Sequence, residues 1–281
     1  MNKNTITKSS LALLAVCSLL LSGCKQNNIS GGAKPEGSSS APQSVSSTVS
    51  SEQEISQQTS SFHNSAGSEA QSEKVEESYL DDAVFIGDSV TLKLKNYVTI
   101  KRKSNPGYFG KAQFLAAGSM GSGNALKPLK SDSIHPSYNG KKALLEDSVA
   151  AMGAKKVYIM LGANDLGLYG VDKSAENMAK LLEKIKAKSP DTKIFVQSAT
   201  PILKERQMKN LNNSNLVAYD NKLKELCKQR GYYFIDVASV MRDKEGNLPK
   251  EYCSDPDDLG IHFTDKACQV WIDYILTHVV K

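Results

Sequence analysis

The stretch AVFIGDSVTLKLKNYV, residues 83–98, changes its hydrophobic pattern in the middle. Its first four residues form a continuous apolar run, which is typical of a strand buried on both faces of a sheet. From residue 90 onward the apolar side chains recur at helical spacing: Val90, Leu94, Tyr97 and Val98. The pattern predicts a strand that turns into a helix through Gly87-Asp88-Ser89. In that turn Ser89 is either a cap of the helix N-terminus or a nucleophile placed there.

The same alternation of apolar runs and amphipathic helices continues to the end of the chain. Four more strand-like runs are predicted, at residues 112–117, 156–161, 193–197 and 232–237. Gly231 is placed to end the helix before the last strand, and a final helix is predicted from about Asp265. Continuous apolar strands separated by amphipathic helices predict a three-layer α/β/α sandwich with a five-stranded parallel sheet. Ligands bind such sheets beyond the carboxyl ends of the strands.

Four polar or glycine positions follow the predicted strands or precede the last helix. Ser89 follows the first strand, Gly121 lies in AAGSMGSG after the second, and Asn164 lies in MLGANDLG after the third. His262, in DPDDLGIHFTDKA, precedes the final helix and is better placed than the other two histidines of the domain, at 135 and 278. Singly, each has a structural explanation as a cap, a loop, a turn or a packed histidine. Gly118 is an alternative to Gly121.

Together these residues resemble the SGNH hydrolases, also called the GDSL esterase/lipase family, across residues 80–280. The matching motifs are FIGDSV, GSMG, GAND and GIHFT. The resemblance implies the flavodoxin-like SGNH hydrolase fold and a serine hydrolase that works through an acyl-enzyme. It assigns Ser89 as nucleophile and His262 as general base. The oxyanion hole would consist of the N–H groups of Ser89 and Gly121 and the amide of Asn164, with no metal or organic cofactor.

The chain departs from the family pattern beside the histidine. Many members carry Asp three residues before the His, whereas that position here is Leu259. Asp258 is the nearest carboxylate and is the first choice for orienting His262. Asp257, Asp255 or a backbone carbonyl remain alternatives, the last leaving a Ser–His dyad.

The N-terminus resembles that of a bacterial lipoprotein. Lys3 and Lys8 precede an apolar run at residues 11–21, which is shorter than the roughly 20 residues that a membrane span needs. The run ends in Leu-Ser-Gly-Cys, so residues 1–23 are predicted to be a signal peptide and Cys24 to carry lipid. Residues 24–75, rich in Ser and Gln, are predicted to be a disordered tether. The hydrolase domain would then span residues 76–281, anchored to the cell membrane on its extracytoplasmic face.

Charge and cysteine content argue against two other classes of protein, those that bind nucleic acid and those that bind zinc. The net charge of +5 is modest and scattered, so nucleic acid is not an expected partner. No CxxC spacing occurs, which argues against a zinc site. Cys253 and Cys268 flank the histidine segment and an exported protein could pair them, although buried free thiols are the default. A monomer is expected.

The expected activity is hydrolysis of ester bonds, with small acyl groups such as O-acetyl on carbohydrate as the favoured substrates. The resemblance also allows acyl transfer to a glycan or lysophospholipase activity. A different class of function is a glycan-binding module on this fold without catalysis, which the departure at Leu259 keeps open.

Overall fold

The computed structural model describes residues 72–280 of the chain. The predicted signal peptide, Cys24 and the predicted tether up to residue 71 lie outside this range. Residues 72–75 run along the last helix, where the N–H groups of Ser72 and Val75 donate to the carbonyls of Thr277 at 2.7 Å and Leu276 at 2.9 Å. No helix among the described residues is long and apolar enough to cross a membrane.

Five parallel strands form the central sheet, which confirms the predicted fold class. They are β1 (Ala83–Gly87), β2 (Gln113–Ala116), β5 (Lys156–Met160), β6 (Lys193–Gln197) and β7 (Tyr233–Ile235), in the spatial order β2-β1-β5-β6-β7. A separate two-stranded hairpin, β3 (Ser137–Tyr138) and β4 (Lys141–Lys142), interrupts the connection between β2 and β5. The sequence pattern did not predict this hairpin because its strands are short and polar.

Within residues 72–280, six α-helices connect the strands or cover the sheet. They are α1 (Ser89–Arg102), α2 (Ser122–Ala125), α3 (Leu145–Met152), α4 (Ala163–Lys188), α5 (Asn213–Arg230) and α6 (Asp265–Thr277). Helix α4 is kinked at Gly170, whose backbone is not helical. Gly231 has a φ of 68° and ends α5 as predicted, because glycine tolerates this left-handed conformation.

The sheet buries both faces, as the continuous apolar strands predict. Alternate residues of β1 point to opposite sides: Val84 and Ile86 join the core beneath α3, α4 and α5, whereas Phe85 joins the core beneath α1 and α6. On the Phe85 side, four aromatic rings stack across neighbouring strands at centroid distances of 4.7, 4.5 and 5.0 Å, in the order Phe85, Tyr158, Phe195 and Tyr233. This packing fixes the strand ends on which the loops stand.

The strand order creates a crevice at the carboxyl end of β1. The chain leaves β1 to form β2 on one side and later returns to form β5 on the other side. This reversal is the topological switch point at which open α/β sheets bind ligands. The loops after β1, β2 and β5 all open there, and they carry Ser89, Gly121 and Asn164 respectively.

Candidate active site

Ser89 is the first residue of α1 and stands directly above the end of β1. Asp88 caps the helix, since its carboxylate accepts the Val90 N–H at 2.9 Å. The turn before it must be glycine: a Cβ at Gly87 would lie 1.9 Å from Thr91 Oγ1 and 2.8 Å from the Met160 carbonyl oxygen. Asp88, rather than Ser89, therefore caps the helix, and the half-buried Ser89 side chain is left for another role.

Gly121 lies in the loop after β2, and a buried carboxylate fixes that loop. Asp165 is 1% exposed, and it accepts hydrogen bonds from the Ser122 N–H at 2.6 Å, the Gly123 N–H at 2.9 Å and the Ser122 hydroxyl at 3.1 Å. A Cβ at Gly121 would lie 2.7 Å from Asp165 Oδ1. Glycine at 121 thus lets the loop lie directly on this carboxylate.

Asn164 joins the Ser89 turn to the Gly121 loop. Its side-chain Nδ2 donates to Asp88 Oδ2 at 3.2 Å and to the Met120 carbonyl at 3.1 Å. The amide is therefore held between the residue before Ser89 and the residue before Gly121. Three of the predicted site residues are brought to one crevice by these two bonds.

His262 pairs with Asp255, which corrects the first-choice assignment of Asp258. His262 Nδ1 lies 2.7 Å from Asp255 Oδ2, while the other carboxylate oxygen accepts the backbone N–H groups of His262 at 2.9 Å and Ile261 at 3.1 Å. Asp258 is exposed, and its backbone N–H donates to the Asp255 carbonyl at 3.1 Å. The chain folds into a compact turn between residues 255 and 260, which places the earlier carboxylate on the ring.

Hydrogen bonds from the connection after β6 hold the loop that carries Asp255 and His262. Arg206 Nε donates to the Pro256 carbonyl at 2.7 Å, and the Leu203 N–H donates to the Gly260 carbonyl at 3.0 Å. Gly260 has a φ of 68°, and a Cβ there would lie 2.6 Å from Arg206 Cγ. Left-handed backbone and close approach both require glycine at this position. These contacts hold the imidazole at the rim of the crevice.

Two carboxyl groups of the site have pKa values that are shifted in opposite directions. Burial raises the pKa of Asp88 to about 6, against the opposing effects of the Val90 N–H and the nearby His262 imidazole. For Asp255, burial acts upward, but hydrogen bonds from the His262 ring and backbone outweigh it and hold the pKa below its ordinary value. Asp255 is therefore ionised at neutral pH. An ionised carboxylate can only accept, so Nδ1 of His262 carries a proton and donates it to Asp255.

The backbone and side-chain groups that acyl transfer needs are present, and some of them are available to bind a ligand. Across residues 72–280, neither the Ser89 N–H nor the Gly121 N–H is used in a hydrogen bond, and none joins the Ser89 hydroxyl to His262. Hydrogen bonds between nucleophile and base often form only when substrate is bound. Two free backbone donors, an amide, a hydroxyl and an oriented imidazole thus surround the switch-point crevice.

One cysteine contacts the site, since the Cys253 thiol donates to Asp255 Oδ1 at 3.3 Å. Cys227, Cys253 and Cys268 are buried free thiols, so the alternative of a Cys253–Cys268 disulfide is not realised. Burial raises the pKa of Cys253 to about 11, which keeps it a thiol. In the part of the chain that the structure describes, no three His, Cys, Asp or Glu residues cluster as metal ligands would.

Asp165 is the functional candidate that sequence reasoning missed. It follows Asn164 directly in the GAND motif, and the sequence pattern assigns it no role. Its side chain points away from the Asn164 amide and into the loop after β2. The available signal was a carboxylate next to a predicted oxyanion donor, but only the folded chain shows which N–H groups it accepts.

Comparison with known proteins agrees with the fold. The model of the GDSL-like Lipase/Acylhydrolase family matches residues 85–270, well over half of the chain. A solved acetyl xylan esterase shares 15% identity with a TM-score of 0.52, covering 70% of this chain and 99% of its own. A GDSL-like lipase from Bacteroides thetaiotaomicron shares 16% identity with a TM-score of 0.50, covering 68% of this chain and 83% of its own. No curated protein shows a significant match.

Proposed function

The chain belongs to the GDSL-like lipase/acylhydrolase family, and from that premise we propose that it is a serine esterase that removes small acyl groups from carbohydrate through an acyl-enzyme. The observation that carries the proposal is the pairing of His262 with Asp255 at the crevice that also holds Ser89 and Asn164. A binding module would have no use for an imidazole oriented by a carboxylate in this way.

In the proposed reaction His262 Nε2 takes the hydroxyl proton of Ser89 while Oγ bonds to the ester carbonyl carbon. The tetrahedral intermediate then collapses, the bond to the leaving alcohol breaks, and the alcohol oxygen takes the proton from Nε2. Water repeats the sequence: it loses a proton to His262, attacks the acyl carbon, and releases the carboxylic acid and the free Ser89. Asp255 keeps the imidazole in the required tautomer and stabilises its positive charge.

The oxyanion would be bound by the N–H groups of Ser89 and Gly121 and by the amide of Asn164. Both hydrogens of Asn164 Nδ2 are engaged before substrate arrives, one with Asp88 and one with Met120. Binding of the oxyanion therefore exchanges one of these bonds for a stronger one to a developing negative charge. An exchange of this kind favours the transition state over the substrate.

Carbohydrate esters are favoured over lipids by the surroundings of the crevice. Tyr169, which is 37% exposed, and the exposed Leu168 follow Asn164 on α4 and provide an apolar surface with an aromatic ring. Such a surface suits the face of a sugar ring. The acetyl xylan esterase among the structural neighbours supports the same substrate class. Acyl transfer to a glycan uses the same intermediate and differs only in the acceptor.

We also propose that Cys24 anchors the enzyme to the extracytoplasmic face of the cell membrane.

The test is a comparison of wild type with Ser89→Ala on p-nitrophenyl acetate and on acetylated xylan. We expect the variant to lose activity on both by more than about a thousandfold, with an unchanged melting temperature, and to lose labelling by a serine-directed fluorophosphonate. Ser119→Ala, in the exposed loop after β2, is the matched serine control and should still be labelled. Wild-type turnover by Ser89→Ala would show that the nucleophile is wrongly assigned.

A further inference from the structure

A cavity lies beside the C-terminal end of α2 and the segment that follows it. It has a volume of about 440 Å³ and is lined by Asn124, Lys127, Pro128, Lys130, Asp132, Ser133 and Ile134. This volume lies within the range of roughly 300–1,000 Å³ that is typical of small-ligand sites. None of these residues belongs to the catalytic set proposed above.

Asn124 connects the cavity to the proposed oxyanion hole. Its Nδ2 donates to the Ser119 carbonyl at 3.1 Å, two residues before Gly121, while the same side chain lines the cavity. The ring of Tyr169 lies over the adjacent backbone, since a Cβ at Gly123 would be 2.6 Å from its Cε2. Asn124 therefore links the cavity to the loop that carries Gly121, and Tyr169 packs against the neighbouring Gly123.

The cavity lining has an excess of positive charge, with two lysines against one carboxylate, Asp132. Lys127 and Lys130 are exposed, and within residues 72–280 neither forms an ion pair, although many other lysines do. The Lys127 ammonium donates to the neutral Asn124 side chain at 3.4 Å, which leaves its charge uncompensated. The segment from residue 126 to residue 144 contains four lysines and one aspartate, so the excess of positive charge is local. Clustered unpaired cations beside a site attract an anionic ligand.

The segment around the cavity is ordered by its own hydrogen bonds. The Ser133 hydroxyl accepts the Lys130 N–H at 3.2 Å and donates to the Lys130 carbonyl at 2.9 Å. Lys142 Nζ donates to the carbonyls of Ser131 at 3.0 Å and Ser133 at 2.8 Å, and His135 is buried beneath them. A preformed cavity loses less conformational entropy on binding its ligand than a flexible loop loses.

We propose that this cavity is a subsite for an anionic sugar residue next to the acylated sugar, so that the substrate is an O-acylated polyanionic glycan. The inference rests on the esterase function proposed above and specifies its substrate class. Tyr169 packs against the sugar ring that carries the ester, and Lys127 and Lys130 bind the carboxylate or phosphate of the neighbouring residue. A neutral glycan can reach Ser89 but leaves the two lysines without a partner.

The test measures the ratio of kcat/KM on anionic acetylated glycans to kcat/KM on neutral acetylated xylan. The anionic probes are acetylated polygalacturonate, which supplies carboxylates, and acetylated dextran phosphate, which supplies phosphates. We expect at least one ratio to exceed about ten at low salt and to fall in 0.5 M NaCl, because salt screens exposed charges. The larger ratio identifies the anionic group.

The double variant Lys127→Gln/Lys130→Gln should lower that ratio roughly threefold to tenfold, mainly through KM, since each exposed charge contributes modestly. The control Lys224→Gln/Lys228→Gln removes two exposed charges on α5 and should keep the wild-type ratio. A wild-type ratio near one, or equal ratios in the two double variants, overturns the subsite.

Failure of the subsite is distinguishable from failure of the esterase function. Unacetylated polygalacturonate and dextran phosphate are titrated calorimetrically into Ser89→Ala, which keeps the cavity whatever the role of Ser89. We expect measurable binding of one polymer that is lost when Lys127→Gln/Lys130→Gln is added. Binding that survives this addition, or binding of neither polymer, refutes the subsite even if Ser89→Ala is inactive as an esterase.

Discussion

At the level of single residues, the proposed proton transfer depends on Asp255. One of its oxygens holds the imidazole Nδ1 of His262, and the other accepts two backbone N–H groups of the same loop. The carboxylate thus fixes both the ring and the chain that carries it. Removing its charge should change the tautomer of His262 and weaken the stabilisation of the imidazolium.

Asp255→Asn is expected to lower kcat by roughly a thousandfold or more, because an amide can donate to Nδ1 and so favour the wrong tautomer. The matched control is Asp258→Asn, an exposed residue in the same loop, which should stay within about threefold of wild type. Initial rates on p-nitrophenyl acetate, with circular dichroism to verify folding, provide the measurement. A large loss in Asp258→Asn with none in Asp255→Asn would return the role to Asp258.

The difference between these two aspartates shows what sequence can predict about a site. Ser89, Asn164 and His262 were predictable because each follows a strand or precedes a helix at a fixed place in the fold. Asp255 was not, since the choice among three carboxylates depends on how the intervening turn folds. Asp-Pro at 255–256 and Gly260, with its φ of 68°, produce that turn. Turn geometry of this kind follows from tertiary contacts such as the one with Arg206.

At the level of elements, the short helix α2 is held in place by a carboxylate from α4. Asp165 binds the first N–H groups of α2 and leaves no room for a side chain at Gly121. The five strands were predictable from apolar runs alone, whereas α2 spans only four residues and has no periodicity to detect. A helix this short exists because Asp165 satisfies its N-terminus.

Gly121→Ala and Gly118→Ala test whether the Gly121 N–H is an oxyanion donor. The added methyl at 121 would collide with Asp165 and displace the loop, so we expect kcat to fall about a hundredfold, as loss of one such donor does elsewhere. A Cβ at Gly118 would meet nothing within 4 Å, and that variant should retain nearly wild-type kcat. The opposite ranking of the two variants would assign the donor to Gly118, the alternative that the sequence left open.

At the level of the whole molecule, the fold buries three carboxyl groups near the ends of its strands. Burial raises the pKa of Asp88, Asp165 and Asp220 above their ordinary values. Each accepts backbone N–H groups: from Val90 for Asp88, from Ser122 and Gly123 for Asp165, and from Ala199 for Asp220. The loops of the proposed site are thus ordered at the expense of stability at neutral pH.

This arrangement predicts a specific dependence of stability on pH. The pKa of Asp88 rises from 3.8 to about 6 on folding, so its contribution to stability is complete below about pH 4 and is lost as the pH rises to about 6. The loss amounts to about 3 kcal/mol, from roughly two pKa units at 1.36 kcal/mol each. Asp88→Asn keeps the helix cap and cannot ionise.

The free energy of unfolding, measured by urea titration between pH 4 and pH 7.5, should therefore fall by about 3 kcal/mol more in wild type than in Asp88→Asn. Loss of the bond from Asn164 shifts the whole curve of the variant but leaves its slope unchanged, because that loss does not depend on pH. Asp165 and Asp220 are buried in both proteins, so the effect of their own burial cancels in the difference. The repulsion between Asp88 and Asp165, which helps to raise the pKa of Asp88, is part of the measured difference. Parallel curves for the two proteins would mean that Asp88 is already ionised in the folded chain at acidic pH, and that its bond from the Asn164 amide is charge-assisted throughout.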